Sequence, residues 1–266
     1  MKQRIAGLLR ALACVVLATG SLSAQQLLTG SAASYFERGN EWFKKGEMNK
    51  AIDDYSTALL FAPRSAEIYY NRGLARHQMT DVDGSLKDYS KAVEINPHYS
   101  DAYNNRAALR ANTGNLEGAI SDYDEAIKWR KGFAAAYFNR GNAHFEMSDM
   151  DSAIDDYSLA IASKRGYAMA YNNRGLALQA KGNLTAAILD FTKAITLMPK
   201  HAGPYTNRGL ARLLQGKRAE AEQDLARALS LKPDMREIIQ KGIANFNARS
   251  NDARAVTDVT DHAYSR

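Results

Sequence analysis

Cysteine occurs once in this chain of 266 residues, at Cys14, and acidic residues are missing until Glu37. A single thiol leaves no partner for an intrachain disulfide and no cysteine pair for a metal site. After residue 24 no apolar run is long enough to cross a bilayer, which takes about 20 residues. Runs of lysine or arginine are missing from the same stretch. The net charge is +6, and Lys2, Arg4 and Arg10 account for three of those charges, so residues 25–266 carry +3. That is a solubility-level charge and not a nucleic-acid footprint. The histidines, His77, His98, His144, His201 and His262, share no metal-ligating spacing. No nucleophile elbow, phosphate loop or dinucleotide fingerprint is present. The sequence therefore points to a non-catalytic protein with no cofactor, no metal and no nucleic-acid partner. With 45% hydrophobic and 24% charged residues the chain is nonetheless that of a folded protein.

The first 24 residues stand apart. Three cations precede an apolar stretch from Ala11 to Ala18, and small residues close it at Thr19-Gly20-Ser21-Leu22-Ser23-Ala24. That order reads as a secretory signal peptide cleaved near Ser23 or Ala24, with an uncleaved anchor or an organellar transit peptide as the alternatives. Cys14 lies inside the apolar stretch rather than at its end, unlike a lipid-attachment cysteine. The expectation is an exported protein, periplasmic or secreted, with no membrane span in the mature chain. Residues 25–31 are expected as a short linker.

What the chain has in abundance is repetition. Tyrosine returns every 34 residues, at Tyr35, Tyr69, Tyr103, Tyr137, Tyr171 and Tyr205, without insertion or deletion. The frames are 32–65, 66–99, 100–133, 134–167, 168–201 and 202–235. Four residues after each tyrosine stands a small residue: Gly39, Gly73, Ala107, Gly141, Gly175 or Gly209. Glycine is unfavourable inside a helix by about 1 kcal/mol relative to alanine, so its recurrence marks close approach of a neighbouring helix. A turn follows at Gly46, Thr80, Gly114, Ser148, Gly182 and Gly216, then helix caps at Asp81, Asn115, Asp149 and Asn183. The second helix carries a small residue, then Tyr55, Tyr89, Tyr123, Tyr157, Phe191 or Leu225 four later, then alanine three later. This i, i+4, i+7 stripe is one face of an amphipathic helix. Pro63, Pro97, Pro199 and Pro233 end the frame, while Lys131 and Arg165 occupy that slot in the third and fourth copies.

Small, aromatic and proline columns at these offsets resemble the tetratricopeptide repeat family over residues 32–235. The resemblance implies an all-α fold, a right-handed superhelical α-solenoid of antiparallel helix pairs with a concave groove. Residues 236–249 place Ile239, Ile243 and Phe246 on one face and read as a C-terminal capping helix. Residues 250–266 read as a polar, disordered tail.

Three polar or aromatic columns carry the functional expectations. Arg38, Arg72, Arg106, Arg140, Arg174 and Arg208 recur against Asp54, Asp88, Asp122, Asp156, Asp190 and Asp224, which suggests a ladder of structural ion pairs. Asn71, Asn105, Asn139, Asn173 and Asn207 recur two residues after the tyrosine. A carboxamide both donates and accepts, so this column either grips a peptide backbone or bonds a neighbouring repeat. Some family members hold extended peptides with a similar asparagine ladder. The same face carries Phe36, Asn40, Phe43, Tyr70, Phe138, Asn142 and Phe145, which serve as side-chain pockets or as packing between repeats. The lysine clamp by which other members hold acidic chaperone termini is absent, since Phe36, Asp101 and Asn105 stand in its place. The resemblance thus implies a scaffold binding extended segments of a protein or peptide partner. The alternatives are an oligomerising adaptor that uses the convex face or end helix, and a small-molecule binder.

Overall fold

A computed structural model of the chain describes residues 24–237 and 239–244. Residues 1–23 of the expected signal peptide, the tail 250–266, and the capping helix beyond residue 244, Phe246 included, lie outside the described residues. Within them there are helices and turns and no strand. The first pair is α1 (Ala24–Lys44) with α2 (Met48–Phe61), the second α3 (Ala66–Gln78) with α4 (Val82–Ile95), and the third α5 (Ser100–Asn112) with α6 (Leu116–Trp129). The fourth is α7 (Ala134–Glu146) with α8 (Met150–Ser163), the fifth α9 (Ala168–Ala180) with α10 (Leu184–Leu197), and the sixth α11 (Ala202–Leu214) with α12 (Arg218–Leu231). A short 3-10 turn, Pro233–Met235, follows. Residues 25–31 are not a linker but the first turns of α1. The segment holds no proline and is rich in Gln and Leu, which favour helix. The chain divides into two compact units, residues 1–131 with pairs one to three and residues 132–266 with pairs four to six.

Each pair is built the same way. The caps Asp81, Asn115, Asp149 and Asn183 accept from the backbone N–H three residues on and start α4, α6, α8 and α10. On the second helices Ala51, Ser85, Ala119, Ala153, Ala187 and Ala221 are fully buried, as are Ala58, Ala92, Ala126, Ala160, Ala194 and Ala228. Between them Tyr55, Tyr89, Tyr123, Tyr157 and Phe191 are at most 2% exposed. The rings of Tyr55, Tyr89, Tyr157 and Phe191 lie against Gly39, Gly73, Gly141 and Gly175 of their partner helices. A β-carbon on Gly141 would fall 2.8 Å from the Tyr157 ring, which is why that column is small. At the far end Ile239 is buried, and Ile243 packs with Tyr205 and Leu210 against the sixth pair.

The turn inside each pair needs a left-handed residue. Gly114 adopts φ 83°, but Thr80 and Ser148 hold φ 59° and 63° at the same slot. A side chain there crowds the backbone by about 1–2 kcal/mol. Thr80→Gly and Ser148→Gly are each expected to raise stability by about 1 kcal/mol, read as a higher urea midpoint. A lowered midpoint would refute the strain. The third and fourth frames, which lack the closing proline, turn instead on Gly132 and Gly166 at φ 74° and 75°.

Candidate functional site

The arginine column is a set of forked ion pairs within each repeat. Arg72 gives Nε and Nη2 to Asp88 at 2.9 and 2.7 Å, and Arg106 gives the same atoms to Asp122 at 2.8 and 2.6 Å. Arg38–Asp54, Arg140–Asp156, Arg174–Asp190 and Arg208–Asp224 repeat that geometry. Two-pronged contacts of this kind fix orientation as well as charge. The third nitrogen reaches backward: Nη1 of Arg72, Arg106, Arg174 and Arg208 donates to Ser56, Ser90, Ser158 and Thr192 of the preceding repeat. Each guanidinium also lies over the tyrosine three residues before it, Arg106 at 5.5 Å from the Tyr103 ring centre. One arginine thus ties two helices and two repeats together. A second cation, Arg76, Arg110 or Arg212, adds a bond to the same buried carboxylate.

The asparagine column forms its own chain of bonds. In the second unit Asn207 Nδ2 donates to Asn172 Oδ1 at 2.9 Å, Asn172 Nδ2 to Asn173 Oδ1 at 3.1 Å, and Asn173 Nδ2 to Asn142 Oδ1 at 3.0 Å. Asn142 Oδ1 also accepts from the Tyr157 hydroxyl at 2.9 Å. The relay links three repeats, and its carboxamides all donate in one direction along the chain. In the first unit Asn105 Nδ2 donates to the Tyr70 hydroxyl at 3.1 Å and its Oδ1 accepts from Asn104. Asn71 bonds the Glu67 carbonyl, and Asn139 also has a partner. Asn40 accepts from the Tyr55 hydroxyl, which burial pushes up to about 12. Asn105 and Asn173 have both ends of the carboxamide engaged inside the protein.

The aromatics divide into packing and lining. Tyr70 lies between Tyr89 and Tyr99, with ring centres 5.9 and 4.9 Å away, and Phe138 lies between Tyr157 and Tyr167 at 5.9 and 5.0 Å. They wedge one repeat onto the next. Phe36 and Phe43 pack on the first pair's core, Phe36 with its ring 5.9 Å from that of Tyr55. Phe145 packs with Phe138 on the core formed by Ala153, Tyr157 and Ala177, and it also borders open space. It lines a groove of about 360 Å³ with Asn142, Glu146, Tyr157, Asn173 and Leu176, between α7 and α9. Asn142 sits on the floor with its oxygen saturated, and its Nδ2 has no partner among the described residues. The floor therefore offers N–H donors, the walls Phe145 and Leu176 are apolar, and Glu146 stands exposed at the rim. A site of this composition accepts a carbonyl oxygen beside an apolar side chain.

Sequence reasoning missed the hydroxyl column Ser56, Ser90, Ser158 and Thr192, which follows the second-helix aromatic in four repeats, Asp124 standing in that slot in the third and Ala226 in the sixth. It also missed Leu176, which shares its column with asparagine, and Glu146, whose column follows no pattern. Among the described residues no group of three or more potential metal ligands converges, and no helix is long and apolar enough to cross a membrane.

Helix pairs stacked in series within each unit, tied by internal polar ladders and, in the second unit, presenting a groove between first helices, define an α-solenoid interaction scaffold. Profiles described as tetratricopeptide repeat or TPR repeat match residues 39–79, 66–99, 88–121, 109–148, 134–167, 168–201 and 202–235. The chain belongs to the tetratricopeptide repeat family. No curated protein sequence matches it. Among solved structures, MamA is 27% identical, with 62% of this chain and 96% of that one covered and a TM-score of 0.58. YrrB, described as a TPR protein with an unusual peptide-binding site, is 19% identical, with 68% and 93% covered and a TM-score of 0.60. PilF of Pseudomonas aeruginosa is 15% identical, with 82% and 99% covered and a TM-score of 0.70. At the last two identities the likeness is one of fold.

Proposed function

We propose that this protein is an exported, non-catalytic scaffold that holds an extended segment of a partner protein in the groove between α7 and α9. The observation that carries the reading is the free amide of Asn142 on an otherwise saturated floor, flanked by Phe145 and Leu176. An extended segment presents one backbone carbonyl and one side chain to such a floor, which matches one donor beside one apolar wall. Carboxylates repeated in every pair belong to architecture, whereas an active site is built once. The peptide-binding site named for YrrB agrees with this use of the fold. Export rests on the cationic, apolar and small-residue order of residues 1–24.

The groove is tested by selecting displayed 12-residue peptides on the protein and measuring their affinity for variants. Asn142→Leu places a residue that the column already holds at Leu74 and Leu176, so the fold survives. That change and Phe145→Ala are each expected to weaken binding about tenfold, the equivalent of about 1.4 kcal/mol. Unchanged affinity in both would exclude the groove. For export, the N-terminus of the mature product is expected near Ala24 or Gln25, and intact Met1 in a soluble cytosolic pool would contradict it.

A further inference from the structure

A second cleft, sharing no residue with the groove, opens where the fourth pair meets the fifth. Arg165 and Gly166 of the α8–α9 loop, Tyr171 of α9, and Lys193 and Leu197 of α10 line a space of about 440 Å³. The same positions two repeats earlier are Pro97, His98, Tyr103, Glu125 and Trp129. There the space is filled: the Trp129 ring lies 3.8 Å from that of His98, and its Nε1 donates to Glu125 at 3.0 Å. In the first repeat Phe61 stacks on Tyr35 at 6.0 Å, with the rings 8° from parallel. The fifth repeat lacks each part of that filling. Leu197 replaces the ring, Gly166 removes the side chain opposite, and Lys193 stands in place of Glu125. Gly166 cannot readily be otherwise, because its φ of 75° is a conformation that side chains disfavour. Arg165 and Lys193 are exposed, and neither has an ion-pair partner among the described residues.

We propose that this cleft binds an acidic peptide segment through an aromatic side chain. The ring enters the space that Trp129 and Phe61 fill in the sister repeats, resting on Leu197 and Tyr171. Flat apolar area of that size is what an aromatic supplies at low conformational cost. Carboxylates on either side of it meet Arg165 and Lys193, two cations that no described residue pairs with. The ring is missing from this slot at Ser163 and Leu231 as well, but no other repeat places cations at both the Arg165 and the Lys193 positions, so the charge pair sets the register of a bound partner.

The test uses the full chain and a fluorescein-labelled peptide, Glu-Asp-Trp-Glu-Asp, followed by fluorescence anisotropy at low ionic strength. Saturable binding is expected. The double variant Arg165→Glu/Lys193→Glu, whose changes lie on exposed side chains, is expected to weaken it at least about tenfold. Leu197→Trp restores the residue type of the third repeat and is expected to abolish binding by refilling the cleft. Phe145→Ala is expected to leave this peptide's affinity unchanged, which separates the cleft from the groove. The proposal is overturned if binding does not saturate, if Glu-Asp-Ala-Glu-Asp or Lys-Lys-Trp-Lys-Lys binds as tightly, or if the charge-reversed protein binds as the unaltered one does.

Discussion

Replacing Asp122 by alanine is expected to destabilise the protein by about 3–5 kcal/mol, the usual consequence of stranding buried charge. Asp122 is 3% exposed and accepts from Arg106 at 2.6 and 2.8 Å and from Arg110 at 2.8 Å. Its removal leaves two partly buried guanidiniums without a counter-ion and frees the bond from Arg106 to Ser90 in the preceding repeat. The comparison is Asp101→Ala, which breaks the exposed pair with Arg130. That loss is expected to stay within about 1 kcal/mol, because water screens both groups. Asp54→Ala should fall between the two, since Arg38 is 53% exposed at the first repeat and has no earlier repeat to reach. Repeat arrays need not unfold in one step, so urea midpoints followed by circular dichroism are the measure. Equal small losses at Asp122 and Asp101 would show that the column adds nothing to the fold.

Gly141→Val is expected to damage both fold and groove. Its β-carbon would lie 2.8 Å from Tyr157 Cε1, 2.9 Å from Cδ1 and 3.2 Å from Asp156 Cβ. The ring must move, and overpacking of this kind destabilises by about 1–3 kcal/mol. The third repeat carries a single methyl at this column, Ala107, so Gly141→Ala is expected to be the milder change. The consequence reaches the groove because the Tyr157 hydroxyl holds Asn142 at 2.9 Å. Peptide affinity should therefore fall with stability in Gly141→Val. The equivalent change at Gly73, which lies in the other compact unit, should lower stability alone. If Gly141→Val folded and bound normally, the contact between Tyr157 and the site would have no functional weight.

These contrasts explain what could be read from the residues beforehand. Helix pairs, caps and core columns repeat every 34 residues because each repeat solves the same packing problem, and repetition makes them legible. The pairing of Arg106 with Asp122 is legible for the same reason. Asparagine was harder. Its column repeats, yet one carboxamide suits a ligand or a neighbour equally well, and only three-dimensional placement joins Asn207, Asn172, Asn173 and Asn142 into a relay. The groove was least legible. Phe145 stands out by matching Phe43, but Glu146 recurs in no pattern, Leu176 shares its column with Leu74 and Leu210, and the orientation of the Asn142 carboxamide follows from Tyr157 and Asn173 bonding its oxygen. The linker expected at 25–31 failed on a local question, since nothing in that segment stops a helix that begins at Ala24.

The reading of this chain as a holder of extended segments is tested most directly by photocrosslinking from the groove itself. A benzoylphenylalanine in place of Glu146 puts the reactive group at the rim beside Phe145 and Leu176. The control position is Leu189 of α10, which is 67% exposed and lies outside the groove. With a peptide selected for binding, crosslinks are expected from position 146, at one or two adjacent peptide residues, and none from position 189. Crosslinks from 189 but not from 146, with binding intact, would place the partner elsewhere and contradict the account.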